Sequence, residues 1–261
     1  MVPPILPLFY KKQEEKKQMQ IEKGMKIMGD VNQFQLIQEI TNSLEAPFLE
    51  VGSKNYGSTQ NLRSLLEGKG EYIGIDMAEG DGVDHCLDLT HDFSVIDEKF
   101  SGQRFNTVIC LSVLEHCDKP FKMAENIERL LKPGGQAVIW VPFAWKFHGY
   151  PSDYWRFTHE GVKKLFPTLS FEVSAGVAST SKEGEFLPLD ENIGLAYLNS
   201  KNHWKKGNYL QGTVAKAMRI LGNIKPFSWL SGYRYVLVPT GVFMVGTLNA
   251  DADQQPIRKA G

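Results

Sequence analysis

The chain reads as an α/β fold, a mostly parallel sheet with helices on both faces and right-handed crossovers. Three observations carry this reading. Apolar runs of strand length (PFLEV, EYIGID, FNTVICLS, QAVIWVPF) alternate with helical patterns, the order that parallel sheets require. The segment PFKMAENIERLL places Met123, Ile127, Leu130 and Leu131 on one helical face, and LKPGG then stops it, as Pro and Gly commonly do at helix C-termini. Acidic residues stand at successive strand ends, Glu50, Asp76 and Asp88, at the edge where such sheets bind ligands.

Taken in order, residues 10–30 are mostly charged and Gln-rich, which makes 1–30 a charged, solvated extension. Met25 and Met28 are alternative starts. Phe34, Ile37, Ile40 and Leu44 recur at helical spacing, and Pro47 stops that helix before the first strand. EYIGID (71–76) is the second strand, VDHCLD (83–88) a short third, FNTVICLS (105–112) the fourth and QAVIWVPF (136–143) the fifth. THEGVKKLF (158–166) is helical and LSFEVSA (169–175) extended. The rhythm is then lost until GVFMVGTLNA (241–250). That interval is too long for a plain connection, so an insertion is expected at about 177–238, with its own helix at TVAKAMRIL (213–221). In that helix Val214, Ala217, Met218 and Leu221 form a stripe of ordinary core pattern. The domain therefore runs from 31 to 250, followed by a tail at 251–261.

Bulk properties narrow the function. With 261 residues, 42% of them apolar, the chain can bury one substantial core. A net charge of −1 argues against a general nucleic-acid binder. Cys86, Cys110 and Cys117 form no Cys-x-x-Cys pair, which leaves no disulfide framework or zinc knuckle and points to a reducing, cytoplasmic setting. YVLVPTGVFMVGTLNA is broken by Pro239 and Gly241, and MVPPILPLFYKK is too short and Pro-broken for a signal segment. A soluble protein is expected.

The stretch LEVGSKNYGS (49–58) lacks Gly-x-Gly-x-x-Gly spacing. Gly52, Ser53 and Gly57 nonetheless stand between a strand and a helix opening near Ser58, where backbone can approach a ligand closely. Asp76 follows at the distance at which an acid accepts both ribose hydroxyls. Asp88 is placed to receive the exocyclic amino group of adenine. Each acid alone equally suits a turn or a cap; together they can line one crevice.

FLEVGSKNYGS, YIGIDMAEGDGVD, CLDL, FNTVICLSVLEHCDKP, LKPGGQAVIWVPF and HGYPSDYWRFTHEGVKKLF are similar, in that order, to the motif series of class I S-adenosylmethionine-dependent methyltransferases, in particular the broad type 11 group. The resemblance spans roughly residues 46–175. Lys54 stands where a second glycine is usual, with Gly57-Ser58 following. The resemblance implies a Rossmann-like, doubly wound, mostly parallel seven-stranded sheet and S-adenosylmethionine as cofactor. It implies that Glu50, Gly52 and Ser53 surround the methionine part and that Asp76 holds the ribose. Met77 would pack on the adenine, Asp88 and Leu89 would contact its edge, and Leu111 with Ser112 would close the pocket. The reaction would be in-line attack on the methyl group, in which positioning supplies much of the rate and a base is optional.

Candidates for a base or acceptor clamp are His116, His148 and Tyr154, with Asp153 and Arg156 beside them. The loop GYPSDYWRFT would form the acceptor wall, with Trp155 and Phe157 as packing residues. Some methyltransferases of this fold carry Glu-x-x-Glu-His after the fourth strand and bind a divalent ion there. Here Ser112 replaces the first Glu, which leaves Glu115, His116 and His148 as an incomplete set and makes a metal-independent reaction the expectation. No Asn-Pro-Pro-aromatic stretch follows the fourth strand, so methylation of nucleic-acid bases lacks its usual signature.

From Asn192 to Ala250 there is no Asp or Glu, but there are Lys201, Lys205, Lys206, Lys216, Arg219, Lys225 and Arg234, interleaved with Trp204, Tyr209, Phe227, Trp229, Tyr233 and Tyr235. Such a segment suits an anionic acceptor or a membrane surface. The expected acceptor is a small molecule or a glycan- or lipid-linked group, methylated at oxygen or nitrogen. The rival is a cofactor-binding partner protein without catalysis.

Overall fold

Nine strands form one sheet among the described residues. They are β1 (Phe48–Val51), β2 (Tyr72–Asp76), β3 (His85–Cys86), β4 (Phe105–Leu111), β5 (Leu131–Pro142), β6 (Leu169–Phe171), β7 (Val177–Ser179), β8 (Phe186–Pro188) and β9 (Gly241–Leu248). The computed structural model describes residues 31–57, 62–149, 152–172, 176–180, 186–190, 193, 200–205, 207–229 and 239–249. The expected extension at 1–30, the tail at 251–261 and the helix start at Ser58 lie outside them.

The strand order is β3-β2-β1-β4-β5-β9-β7-β8, with β6 also paired to β9. β1 pairs in parallel with both β2 and β4, β2 with β3, and β4 with β5. Every pairing beyond β5 is antiparallel. The sheet is therefore half parallel and has nine strands rather than seven. The extra strands come from the interval expected to be an insertion, since β7 and β8 extend the sheet through β9. Three-residue strands are too short to show an alternation in sequence.

The period-2 alternation of the strands feeds two cores. Leu49, Val51, Val108 and Cys110 point to a cluster with α3 (Phe93–Lys99), α4 (Pro120–Leu130) and α5 (His159–Leu165). Phe48, Ile109, Val138 and Trp140 point to the opposite cluster with α1 (Val31–Ile40) and α2 (Leu62–Leu66). Helices thus cover both faces. α4 opens with Pro120 in its first turn, where the missing N–H costs nothing. Thr158 caps α5 by accepting from Gly161 N at 3.1 Å.

Two local readings change. α3 was not expected, because its seven residues bury only Phe93 and Ile96 and so display less than two turns of pattern. β5 begins at Leu131, directly after α4, and the register jumps from Phe105↔Leu131 to Thr107↔Gln136. The Lys-Pro-Gly-Gly turn is absorbed there as a bulge with Gly134 at φ 78°.

The basic segment contains α6 (Ser200–Lys205) and α7 (Tyr209–Leu221). On α7 the expected core stripe faces outward: Val214 is 50% and Leu221 40% exposed, while Gly212 and Ala215 are the buried residues. Gly212 is packed against the Trp204 ring. Helical spacing fixes which residues share a face but does not fix which face is covered. Leu210→Ser, at a site 79% exposed, should leave stability within about 0.5 kcal/mol of wild type. Phe243→Ala, at a site 1% exposed and tilted against Trp140, should cost about 3–5 kcal/mol. Urea denaturation of the two variants checks both.

Candidate functional site

All four parallel ladders end on one edge, and the loops leaving that edge converge. The chain leaves β1 through Gly52, at φ 80°. A Cβ on that residue would lie 2.4 Å from Val113 Cγ2, so only glycine lets the β1 turn pack against the β4 turn. Gly52 N and Ser53 N both donate to Ile75 O, at 2.8 and 3.0 Å, which ties the same turn to β2. Ser53 Oγ is buried with no hydrogen-bond partner in the protein. Beyond it, Asn55 N donates to Asp81 O and Asn55 Nδ2 to Asp81 Oδ2, so the loop leans over the β2–β3 connection.

Glu50 faces Gly74 across the β1–β2 ladder and accepts a hydrogen bond from the Tyr72 hydroxyl. Burial pushes its carboxyl up to about 7, against the hydrogen bond and the Arg63 charge, and the Asp76 carboxylate pushes it further in the same direction. Arg63 stacks over the Tyr72 ring at 4.8 Å and pairs with Asp84. Asp84 Oδ2 in turn accepts from Gly74 N at 2.7 Å. Tyr72, Arg63 and Asp84 were not singled out from sequence. The signal available was a tyrosine on the strand neighbouring an acid-bearing one.

Asp76 and Asp88 each spend one oxygen on a turn, accepting from Ala78 N at 3.0 Å and Thr90 N at 2.8 Å. Met77 is 55% exposed, whereas Leu89 is buried and its carbonyl accepts from Asn126 Nδ2. Met77 and Asp88 line an open depression of about 650 Å³ with Cys86, Leu87 and His91 among its walls. Ser112, at the end of β4, adopts φ 56° and donates its N–H to Trp140 O. Its Oγ accepts from Gln33 Nε2 at 2.6 Å, so α1 reaches over the strand ends, a contact without a local sequence signal.

The second cluster lies next to Val113. Leu114–His116 forms a single 3-10 turn. Glu115, with a side chain 1% exposed, has its carboxyl pushed up to about 8 by burial. His116 donates from Nδ1 to Ser152 O, and burial holds its proton affinity below the ordinary imidazole value. Its ring meets that of His148 edge-on at 4.9 Å between centroids. His148 Nδ1 lies 3.2 Å from Asp153 Oδ2. Asp153 is held far below the usual carboxylate range, first by its hydrogen bonds from Arg156. Arg156 also donates to the carbonyls of Trp145 and Lys146, which fastens the loop on itself. Tyr154 N donates to Glu115 O, while its side chain is 55% exposed. The fold therefore brings His116 and His148 together, and Tyr154 joins them through its backbone. Phe157 is buried, and Trp155 Nε1 donates to Cys117 O, which fits their expected packing role.

A family model described as a methyltransferase domain matches residues 33–175, the segment that carries both clusters. The chain belongs to this methyltransferase family. It is a methyltransferase of the class I, S-adenosylmethionine-dependent kind, and its cofactor is S-adenosylmethionine. No curated protein matches the chain. Among solved structures, it is similar to a SAM-dependent methyltransferase from Archaeoglobus fulgidus, with 16% identity, 82% of this chain and 93% of that one covered, and a TM-score of 0.47. It is also similar to the 1,6-didemethyltoxoflavin-N1-methyltransferase of Burkholderia thailandensis, solved with S-adenosylhomocysteine, with 9% identity, 95% and 91% coverage and a TM-score of 0.45. A third is the N-methyltransferase NodS of Bradyrhizobium japonicum, also with S-adenosylhomocysteine, with 14% identity, 53% and 74% coverage and a TM-score of 0.39.

The first cluster fits such a cofactor. A buried hydroxyl without a protein partner, Ser53 Oγ, and a buried carboxyl whose ionisation the nearby Asp76 charge opposes, Glu50, would be relieved by a polar cation beside them. Glu50 gives a test of sign. Its proton affinity is raised by folding, so its contribution to stability is full below pH 4.5 and is lost as pH rises through about 7. Glu50→Gln should therefore gain stability on wild type by roughly 1–3 kcal/mol at pH 8 and gain much less at pH 4.5, read by denaturant unfolding without cofactor.

Proposed function

We propose that this methyltransferase transfers the methyl group in line to oxygen or nitrogen of an anionic small molecule or glycan- or lipid-linked acceptor, in a cytoplasmic setting. The observation that carries the reading is the Gly52–Val113 contact. It sets the turn that follows Glu50 and bears Ser53 directly against the turn that leads to Glu115 and His116, so a methyl donor on one side and an acceptor on the other would be neighbours. The buried state of Cys110 and Cys117 and the lack of any pairing of Cys86 accord with a reducing compartment. Among the described residues, no helix is long and apolar enough to cross a membrane.

When bound, S-adenosylmethionine supplies an electrophilic methyl on a good leaving group. Glu50, ionised, would favour the cationic end of the cofactor, and Ser53 Oγ would satisfy a polar atom of the methionine part. Asp76 would accept from the ribose with the carboxylate oxygen not used on Ala78, and Asp88 would accept at the adenine edge, with Met77 against the ring. Leu89, Leu111 and Ser112 would close the walls. At the acceptor, the donation of His116 Nδ1–H to Ser152 O leaves Nε2 as the basic atom, able to take a proton from the acceptor. His148, aligned by Asp153, would hold the acceptor beside it, and Tyr154 would line the mouth. Much of the rate would come from positioning.

The basic segment supports an anionic acceptor. It carries seven Lys and Arg against no Asp or Glu between residues 192 and 250, and its exposed Leu210, Val214, Phe227 and Trp229 favour an acceptor presented at a lipid surface. Lys206, Tyr233, Arg234 and Tyr235 lie outside the described residues.

Calorimetric titration tests the cofactor site. S-adenosylmethionine and S-adenosylhomocysteine should bind and NAD should not, and Asp76→Ala should weaken both sulfur ligands by about 10- to 100-fold through loss of charged hydrogen bonds. A separate variant tests the segment. Reversal of charge at Lys205 and Lys206 to Glu should lower sedimentation with vesicles containing anionic lipid several-fold and leave cofactor affinity unchanged. Unchanged vesicle binding removes the lipid-linked acceptor from consideration.

A further inference from the structure

The large apolar residues of α7 stand on the side of the helix that the protein does not cover. At 3.6 residues per turn, Tyr209, Leu210, Val214, Ala217, Ile220 and Leu221 fall within an arc of about 140° around the helix, and all six are exposed. Gly212 and Ala215, on the opposite side, are the residues that the protein buries. Gly212 is packed against the Trp204 ring of α6, and Trp204 Nε1 donates to Tyr209 O at 3.3 Å. The helix is thus docked by its small residues, which leaves its large ones outward. Past its end, Ile224, Phe227 and Trp229 are exposed as well. A continuous apolar stripe of this kind marks an interaction surface.

Charge selects the partner. Between residues 192 and 250 the chain has no Asp or Glu. By the same helical spacing Lys216 borders the arc beside Tyr209, while Lys205 precedes the helix and Lys225 follows it, all three exposed. Lysines at the border of an apolar stripe lay their stems along it and extend their ammonium groups to a polar layer. A second copy seated on the same face would set these cations against one another, with no acid of the segment to meet them. An anionic bilayer meets both needs at once, since its headgroups attract the lysines and its acyl boundary takes the stripe. Tyr209 and Trp229 are the residue types that settle between the two layers.

We propose that α7 is a membrane-docking helix that lies flat on a bilayer containing anionic lipid, with Leu210, Val214 and Leu221 at the acyl boundary and Lys205, Lys216 and Lys225 among the headgroups. Its 13 residues make a helix about 20 Å long, which can lie along the surface and is too short to span it. This partner deepens the lipid-surface reading above and rests on its charge argument; the insertion of the stripe rests on the orientation of α7 alone.

The test is sedimentation of the full chain with vesicles of phosphatidylcholine, with and without phosphatidylserine. Binding should be at least tenfold tighter with phosphatidylserine and should weaken at least tenfold in the double variant Leu210→Ser, Val214→Ser, which removes apolar area from the boundary. Both side chains are exposed, so the variant should keep the wild-type urea midpoint and S-adenosylmethionine affinity. Acyl chains carrying bromine should quench tryptophan emission of the wild type and not of the variant. Equal binding to the two vesicle types, binding indifferent to the double substitution, absence of quenching, or displacement by soluble glycerophosphate overturns the proposal, the last by showing a headgroup pocket in place of a surface. A dimer that the double substitution dissociates also overturns it and gives the face to a second copy. Vesicle binding weakened by charge reversal at Lys205 and Lys206 but not by the double variant removes the insertion of α7 and keeps the lipid-surface reading. No vesicle binding with S-adenosylmethionine binding intact removes the membrane and leaves the cofactor site untouched.

Discussion

The parallel pairing of β1 on both sides is the constraint on which the rest of the structure depends. In register, Val51 lies beside Ile75 on β2 and beside Cys110 on β4, so the three turns that follow leave from one edge at one level. β1 can take this place because Phe48, Leu49 and Val51 are all buried, on alternating faces, as a strand covered by helices on both sides must be. Glu50 interrupts that pattern. It is the single acid in the central strand, and it is tolerated there because Tyr72 donates to it and its own proton affinity rises.

That edge concentrates polar groups whose needs the protein itself meets only in part. Asp84 is served by Arg63 and Gly74 N at its Oδ2, and Asp153 by Arg156 and His148 N. Ser53 Oγ and Glu115 Oε2 are not served. Arg63–Asp84 and Arg156–Asp153 fasten loops, and the orphaned atoms stand on the turns between them.

The far half of the sheet has a different logic. Beyond β5 the strands are antiparallel and short, apart from β9, which pairs with β5, β6 and β7. β9 therefore closes the core by setting its Phe243 against Trp140 of β5, while the basic segment is carried between β8 and β9. Its helix α7 contributes little to the core, since its apolar stripe faces out.

The alternation of strand and helix, the five parallel strands, the acids at their ends and the family were all legible in the sequence, because each rests on local periodicity or on a motif of contiguous residues. α3, β7 and β8 were not, because α3 buries only Phe93 and Ile96 and β7 and β8 are three residues long in the interval where the strand–helix rhythm is lost. The seven-strand expectation failed for the same reason. For the site, sequence named Glu50, Ser53, Asp76, His116 and His148 but could not say what touches them. Tyr72 against Glu50, Gln33 against Ser112 and Ser152 against His116 are contacts between residues far apart in the chain. The sequence by itself determined which chemical groups stand at the strand ends, since side-chain type and strand period are local properties. Only the tertiary structure decided which of those groups are buried, partnered or left open, since burial and pairing depend on segments that meet when the sheet and its loops close.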